Sequence, residues 1–389
     1  MTEHIGQRVA ALRRIRRMTQ ADLAREAHVS LPMVKACERG VRSPGPSTLE
    51  AIGSALGVDA SRLDPSYVGT SRHVHAALPA ISATIAGYEY AVDPADRPPA
   101  QLRSDIDVAV GRRLAAQYGL IAKSAPSLLG DALAHLHCAS GARVREAAGL
   151  VVAAARTADA AAYKFGAHDL SARLIDVMRW AAAHSEDADL NACVAYVRAE
   201  TFLAARTYRV GHLALEQALD AGPAPNTAQS TATLGALHMR TAVVAARAGS
   251  ADAANNHLNE ARTLASGLPE GVYLGTSFGP SSVRIHEVAV SVSLGKGHIG
   301  RALDIARDWS PGPEIPAERR SGFWIEMARA RLWSGNPDGA FKCLKEARKH
   351  APQHVREHPW VREDIGKILR LRRASADSLT SFAEWIGAV

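Results

Sequence analysis

The stretch MTQADLAREAHVSLPMVKACERG, residues 18–40, decides the fold of the N-terminal part of this chain. Thr19 precedes a helical pattern as an N-cap, and Asp22 stands at the third helical position, as in a variant of the capping box. Ser30 is placed as the N-cap of the next helix, and Gly40 stands where that helix should stop. The stretch therefore predicts two short helices joined by a tight turn.

The flanking sequence adds three more helices to this pair. Apolar residues at three- and four-residue steps predict a first helix over residues 4–17. Ser47 and Glu50 are spaced as the capping box of a fourth helix, and a short fifth helix is expected over Ala60–Leu63. The sequence thus predicts five short helices within its first 65 residues.

This succession resembles the Xre/Cro/phage-repressor family of DNA-binding domains over residues 5–64. Gln20 and the run Glu38-Arg39-Gly40 stand at the landmark positions of that family. One departure is His28, which replaces the usual turn glycine. Histidine tolerates a positive φ better than most residues, though less well than glycine.

The resemblance implies roles for individual residues. Gln20, at the start of the second helix, would hydrogen-bond a DNA phosphate. Arg13 and Glu38 would form a structural pair that ties the first helix to the third. The third helix would turn one face to the DNA groove and the core positions Val34 and Cys37 inward. The expected DNA-binding positions besides Gln20 are Leu31, Pro32, Met33, Lys35, Ala36, Arg39, Arg42 and Ser43, the last two along the duplex backbone.

The third helix begins with Leu31, Pro32 and Met33, whose side chains carry no hydrogen-bonding group of the kind that usually reads bases. Apolar side chains can contact thymine methyl groups, and Lys35 can reach guanine O6 or N7, or a phosphate. The alternative is that Leu31 and Met33 cover the core of their own domain or contact another subunit. Both interpretations remain open at the level of the sequence.

The charge and composition of the chain are compatible with DNA binding and argue against a membrane protein. The 389 residues carry a net charge of +7 and a pI near 9.4, which suits a nucleic-acid partner without requiring one. Binding by one small domain would be weak at physiological salt, so we expect a homodimer. No run approaches the roughly 20 apolar residues of a membrane span, which predicts a cytoplasmic protein with no membrane partner.

The sequence divides into three parts. Residues 1–66 form the predicted DNA-binding domain, and residues 67–100 form a proline-containing linker. We expect a short helix near Val74–Tyr88 and an extended connector over Val92–Ala100 within that linker. Residues 101–389 are predicted to form an array of amphipathic helices, with terminal helices at 363–371 and 379–386 that cap or dimerise it.

A repeat is visible in the array. Its clearest copy combines small and large apolar residues with a turn and a closing proline: Trp324, Met327, Ala328, Gly335, Ala340, Leu344, Ala347 and Pro352. These offsets resemble the tetratricopeptide pattern. Weaker copies have turns near Gly166, Gly249 and Gly297, the last with Trp309 on its second helix, and a further copy has Gly211 as the small residue of its second helix. The predicted fold class is all-α, with a generic helical bundle as the alternative to a tetratricopeptide-like array.

Motifs for catalysis are missing from the sequence. It contains no glycine-rich phosphate loop, no G-x-S-x-G and no H-E-x-x-H. His354 and His358 have the spacing of metal ligands on a helix, but no third ligand is evident. The four cysteines are scattered, which favours buried thiols. We therefore expect no enzyme, no cofactor and no metal site.

An Xre-type domain followed by a tetratricopeptide-like array resembles bacterial regulators that sense a peptide or a small molecule. The stretch LPAISATIAGYEY, residues 78–90, also looks like a group of actinobacterial regulators with this layout. The resemblance implies a homodimeric transcription regulator whose array binds an effector that modulates operator binding. The alternative is a DNA-tethered scaffold whose array binds a partner protein.

Overall fold

The computed structural model describes residues 4–58, 60–64, 70–90, 94–371 and 377–388. The chain forms two compact units, one made of Met1–Ala76 and Val355–Val389 and the other of Ala77–His354. We call them the first and the second unit. Nearly all regular structure in the described residues is helical, as the sequence predicts.

The N-terminal part of the first unit contains the five predicted helices in the predicted order. They are α1 (Ile5–Ile15), α2 (Gln20–Glu26), α3 (Leu31–Glu38), α4 (Pro46–Ala55) and α5 (Ala60–Leu63). Thr19 accepts a hydrogen bond from the backbone of Asp22, and Ser30 accepts one from Met33, so both predicted caps are confirmed. The turn between α2 and α3 places His28 at a φ of 51°.

The start of α4 differs from the prediction. The helix begins at Pro46, two residues before the start that an N-cap at Ser47 implies, and the side chain of Ser47 lies outside the described residues. The backbone N–H of Leu49 already donates to the carbonyl of Gly45 at 2.8 Å. Proline has a φ that suits the first helical position, which explains the earlier start.

The five helices close around a small apolar core. Its fully buried members are Val9, Leu23, Val34, Ile52, Leu56 and Leu63. Helices α1 and α3 approach closely at Gly6, where a Cβ atom would lie 2.0 Å from the carbonyl oxygen of Cys37. A side chain at position 6 would therefore push α3 away from α1.

Helix α6 (Thr70–Thr84) begins and ends four residues earlier than the linker helix expected near Val74–Tyr88. Residues 94–98 of the expected connector contain neither helix nor strand, whereas its last two residues, Pro99 and Ala100, begin the next helix. Positions 65–69 and 91–93, and with them the start of the predicted connector, lie outside the described residues.

The second unit is built from paired helices and one small sheet. Its helices are α7 (Pro99–Leu114), α8 (Tyr118–Cys138), α9 (Arg143–Lys164), α10 (His168–Ala183), α11 (Ala188–Ala204), α12 (Tyr208–Asp220), α13 (Ala228–Arg247), α14 (Ala251–Ala265), α15 (Pro280–Ser293), α16 (Ile299–Ile305), α17 (Ala317–Trp333) and α18 (Pro337–His350). Consecutive helices are joined by short turns and pack as hairpins, for example α9 with α10 and α17 with α18.

Glycines at several predicted turns have the backbone conformation that these turns need. Gly166, Gly249 and Gly335 have φ values of 79°, 83° and 81°. The copy near Gly297 was assigned wrongly, because the positive φ is at Gly295 and α16 ends at Ile305, before Trp309. Gly297 instead lies in a single 3-10 turn.

A β-hairpin between α14 and α15 was not predicted. Strands β1 (Gly271–Tyr273) and β2 (Thr276–Phe278) pair antiparallel, with Val272 opposite Ser277. Two strands of three residues carry too little periodicity to be recognised in a sequence. Phe278 anchors the hairpin, since its side chain is fully buried against α13.

The chain ends with α19 (Pro352–Glu357), α20 (Pro359–Leu371) and α21 (Asp377–Trp385), which include the two terminal helices expected from the sequence. Three cysteines are buried as predicted, but Cys138 is exposed at the end of α8. Among the described residues, no helix has both the length and the hydropathy needed to cross a membrane.

The contact between α13 and the hairpin generates a prediction about stability. An alanine Cβ at position 235 would lie 2.0 Å from Cζ of Phe278. Gly235→Ala should therefore destabilise the second unit by about 1–3 kcal/mol through overpacking. Thermal unfolding followed by circular dichroism measures the change.

Gly111→Ala is the matched control, because nothing lies within 4 Å of a Cβ atom at that helical position. This substitution should stabilise the chain by about 0.5–1 kcal/mol, since alanine loses less backbone entropy than glycine on helix formation. Equal melting temperatures for the two variants would contradict the tight contact at Phe278.

Candidate nucleic-acid interface and effector pocket

The surface of α3 and the loop after it carries most of the predicted DNA-binding residues. Pro32, Lys35, Arg39, Arg42 and Ser43 are exposed. Met33 and Ala36 are partly buried, whereas the predicted core residues Val34 and Cys37 are 0% and 1% exposed. The exposed face of α3 is thus basic at its C-terminal end and apolar at its start.

Leu31 occupies an intermediate position. Its side chain is partly buried and packs against the core of its own domain. This contact is the one expected from the alternative interpretation of the apolar helix start. Contact of Leu31 with a base therefore remains a prediction, and Pro32 is the apolar residue most open to a ligand on this face.

An ion pair fixes α3 to α1. Arg13 donates to both carboxylate oxygens of Glu38, from Nε at 2.6 Å and from Nη2 at 2.9 Å. Nη1 of Arg13 also donates to the carbonyl of Met18 at 2.8 Å. Such two-pronged pairing holds both helices in one register. The pairing of Arg13 with Glu38 was expected from the family resemblance, and the structure contains it.

Gln20 joins the same network, which the sequence did not indicate. Its amide Nε2 donates to Oε2 of Glu38 at 2.8 Å. Burial alone would raise the pKa of Glu38, but the hydrogen bonds from Arg13 and Gln20 outweigh it and lower the pKa. A side-chain amide carries two hydrogens, so the second N–H of Gln20 can still serve a phosphate.

A second candidate site lies in the second unit. A cavity of about 350 Å³ is lined by residues of α7, α9, α11 and the tip of the β-hairpin. Most of its wall is apolar, with Ile106, Val110, Leu150, Val152, Ala153, Leu190 and Leu274. Two buried arginines, Arg113 of α7 and Arg156 of α9, also line it. The remaining charged lining residues are Arg103, Asp107, Arg145, Glu146 and Asp187.

The hairpin holds both guanidinium groups in place. Arg113 Nη2 donates to the carbonyl of Gly275 at 2.6 Å, and Arg156 Nη1 donates to the carbonyl of Leu274 at 2.8 Å. Arg156 Nη2 also donates to the hydroxyl of Thr276 at 2.8 Å. The backbone at Leu274 and Gly275 has φ values of 43° and 70°, and this tight turn aims the carbonyls at the arginines.

Neither guanidinium group is held in an ion pair with another described residue, although the charge of Glu318 acts on Arg113. Each arginine is only 7% exposed, and no carboxylate of the described residues forms an ion pair with either guanidinium. Burial and the neighbouring charge of Arg156 lower the pKa of Arg113 to about 10. A buried charge without an ion-pair partner costs several kcal/mol, so an anionic group placed beside the two guanidinium groups would be stabilised.

A polar cluster continues from Arg156 through the same interior. The guanidinium of Arg240 lies 4.1 Å from the ring centroid of Tyr196, and that of Arg156 lies 5.6 Å from it. Arg319 donates to the hydroxyl of Tyr196. Burial alone would raise the pKa of Tyr196, but Arg240, Arg319 and Arg156 outweigh it and lower the pKa to about 8.

Sequence reasoning missed this cluster because its members come from α7, α9, α11, α13 and α17, far apart along the chain. The helices contribute few charged residues to faces that are otherwise mostly apolar. A charged residue on an apolar helix face was the one signal in the sequence that pointed to this cluster, since charged residues rarely enter a core unless they are paired or functional.

The lowered pKa of Tyr196 predicts a titration near neutral pH. An ordinary tyrosine ionises near pH 10, so the folded chain should show one phenolate forming with a midpoint of about 8. The ionised form stabilises the fold, and its contribution should grow as the pH rises from about 8 to about 10. Near-ultraviolet absorbance of the phenolate measures the midpoint.

Tyr196→Phe should remove this early step, whereas Tyr90→Phe, at a residue that is 72% exposed, should leave it in place. An early step that survives in Tyr196→Phe would show that another group is responsible.

Comparison with known proteins supports the N-terminal assignment. Residues 4–65 match a family model described as a helix-turn-helix domain. A 59-residue segment is 41% identical to the immunity repressor protein of Bacillus phage phi105. That segment covers 15% of this chain and 41% of the repressor, so the chain spans less than half the length of this curated relative.

Two solved structures are similar over a larger share of the chain. One is PlcR of Bacillus thuringiensis in complex with the peptide PapR7 and DNA, at 12% identity and a TM-score of 0.29. The match covers 68% of this chain and 94% of that one. The other is the apo form of the competence regulator ComR from Streptococcus vestibularis, at 10% identity and a TM-score of 0.28. It covers 99% of this chain and 98% of that one.

The family match and the five helices coincide in the same residues. Residues 4–65 are therefore a helix-turn-helix domain, and the chain joins this domain to a much longer region of paired helices.

Proposed function

We propose that this chain is a transcription regulator that binds DNA as a homodimer and responds to an anionic effector held between Arg113 and Arg156. The helix-turn-helix match over residues 4–65 and the exposed basic face of α3 support the DNA-binding part. The buried arginine pair beside an apolar cavity is the observation that carries the effector part.

In this proposal α3 enters the major groove of DNA. Lys35 reaches a guanine edge or a phosphate, and Pro32 contacts a thymine methyl group. Arg42 and Ser43, on the loop after α3, bind the phosphate backbone. The Arg13–Glu38 pair does not touch DNA, but it fixes the angle of α3 against α1.

Two copies of the domain are needed for useful affinity. The surface of α3 and its loop offers only three exposed basic residues among the proposed contacts, Lys35, Arg39 and Arg42. Affinity grows with the number of phosphates neutralised, so a single domain would bind weakly at physiological salt. A dimer doubles that number and reads two half-sites about one helical turn apart.

The effector pocket defines a class of ligand. Its volume of about 350 Å³ lies at the lower end of the range of small-molecule sites, and its wall is mainly apolar. A carboxylate accepts paired hydrogen bonds from guanidinium groups, and it would neutralise the two buried charges. We infer an acid with an apolar body, either a small carboxylic acid or the C-terminal residues of a peptide.

The DNA part of the proposal is tested by selecting bound sequences from a random duplex library with the full chain. Lys35→Ala should weaken binding to the selected site by about tenfold, because a specific base contact contributes about 1–3 kcal/mol. Arg42→Ala should weaken binding to all DNA sequences alike. It should also reduce the slope of log affinity against log salt concentration by about 1, because one phosphate contact is lost.

Lys349→Ala is the control, since this exposed lysine lies on α18 in the second unit. Selection of no common sequence by the wild-type chain, or unchanged binding by Lys35→Ala, would count against α3 as the reading helix.

The effector part is tested by a paired library of carboxylic acids and short peptides and their primary amides, scored by the melting temperature of the chain. Acids that bind should raise the melting temperature more than the matching amides. Arg113→Met should abolish that difference. Without ligand it should leave stability unchanged or raise it by about 1–4 kcal/mol, because it removes a buried charge that forms no ion pair.

Arg103→Met is the matched control, because Arg103 also lines the cavity but is half exposed and paired with Glu146. An acid response that is retained in Arg113→Met, or a strong loss of stability without ligand, would show that the charge serves the fold and not a ligand.

A further inference from the structure

A cluster of three histidines and one glutamate lies in the second unit, apart from the effector pocket. His212 and Glu216 are one turn apart on α12, so they lie on the same face of that helix. His257 reaches them from α14, and His238 of α13 lies behind His257. The sequence analysis did not find this group because its members come from three helices.

The distances within the cluster are close to those of a metal centre. Glu216 Oε1 lies 2.7 Å from Nε2 of His257 and 3.2 Å from Nε2 of His212. One ligand atom from each of the three residues lies within 4.8 Å of the other two. Tetrahedral Zn²⁺ with bonds of about 2.0–2.2 Å places its ligands roughly 3.4 Å apart, so small side-chain movements suffice.

His212 supplies a second, independent observation. Its Nε2 atom is buried and makes no hydrogen bond, even though a carboxylate oxygen of Glu216 lies nearby. A buried polar atom without a partner calls for an explanation, and an ion is one of the usual ones. A metal between His212, Glu216 and His257 would give this nitrogen a partner.

His238 acts as the outer support that metal-binding histidines usually have. Its Nδ1 lies 3.1 Å from Nδ1 of His257. With a metal on Nε2, His257 would donate its Nδ1 hydrogen to His238. Without a metal, His257 can donate from Nε2 to Glu216 and accept from His238. Both tautomers are satisfied, so the cluster can exist empty or filled.

Solvent can reach the cluster from one side. The side chain of Glu216 is 40% exposed and that of His212 is 26% exposed, while His257 is 11% exposed. An ion can therefore enter from this side, and a water would serve as the fourth ligand.

We propose that His212, Glu216 and His257 form a binding site for Zn²⁺ or a similar divalent transition metal. Two imidazoles and one carboxylate suit such metals, whereas Ca²⁺ and Mg²⁺ prefer sites made of oxygen ligands alone. The bound ion would join α12 to α14, which belong to successive hairpins of the array. It would thereby limit the movement of one hairpin against the next, independently of any ligand in the effector pocket.

The test uses the full chain without an affinity tag, stripped of metal by a chelator and titrated with Co²⁺. The wild-type chain should develop the visible absorption of tetrahedral Co²⁺ at one equivalent, and Zn²⁺ should displace it. His257→Ala and His212→Ala should weaken binding by ~100-fold or more, and His238→Ala by about tenfold, as expected for an outer partner.

His298→Ala is the control, since His298 is exposed on a 3-10 turn elsewhere in the same unit and should leave binding unchanged. Glu216→Gln keeps the shape and one acceptor oxygen, so it should fold, yet it should lose the Zn²⁺-dependent rise in melting temperature shown by the wild type. Absence of Co²⁺ bands in the wild-type chain, or bands and Zn²⁺ stabilisation that persist in His257→Ala and Glu216→Gln, would overturn the proposal.

Discussion

Two guanidinium groups that are buried without an ion-pairing carboxylate are the constraint on which the effector pocket and the β-hairpin depend. Removing a charge from water is costly, and Arg113 and Arg156 also repel each other. The fold meets part of this cost with the backbone carbonyls of Leu274 and Gly275. Carbonyl dipoles solvate a cation but do not cancel its charge, and the charge of Glu318 offsets that of Arg113 only in part, since the pKa of Arg113 stays lowered.

The β-hairpin is explained by this constraint. Helices cannot offer free carbonyls along their sides, because those groups are used within the helix. A tight turn exposes two consecutive carbonyls, and Gly275 allows the close approach, since a Cβ atom there would lie 2.8 Å from Arg113 Nη2. Phe278 then fastens the hairpin to α13. A short strand pair in a helical unit thus supplies what the helices cannot.

Features set by neighbouring residues were predictable from the sequence, whereas contacts between residues far apart along the chain were not. The caps at Thr19 and Ser30 act within four residues, so the sequence alone indicates where α2 and α3 begin. Arg13 and Glu38 were paired through a family resemblance. By contrast, Arg113 meets Gly275 across 162 positions and Glu216 meets His257 across 41. Sequence periodicity does not indicate such long-range contacts, because they depend on how whole hairpins pack against one another.

The buried charges of Arg113 and Arg156 also suit the proposed ligand-controlled switch, which needs a ligand that binds one state more tightly than the other. A ligand shifts an equilibrium only by the difference in its affinity for the two states. In a state where the hairpin turn keeps Arg113 and Arg156 together, an acid gains the full attraction of two desolvated cations. In a state where they separate or become hydrated, it gains little, because water screens the charges. In the proposed switch, the cost of the empty pocket is therefore the source of the discrimination, and pairing either arginine with an internal carboxylate would remove it.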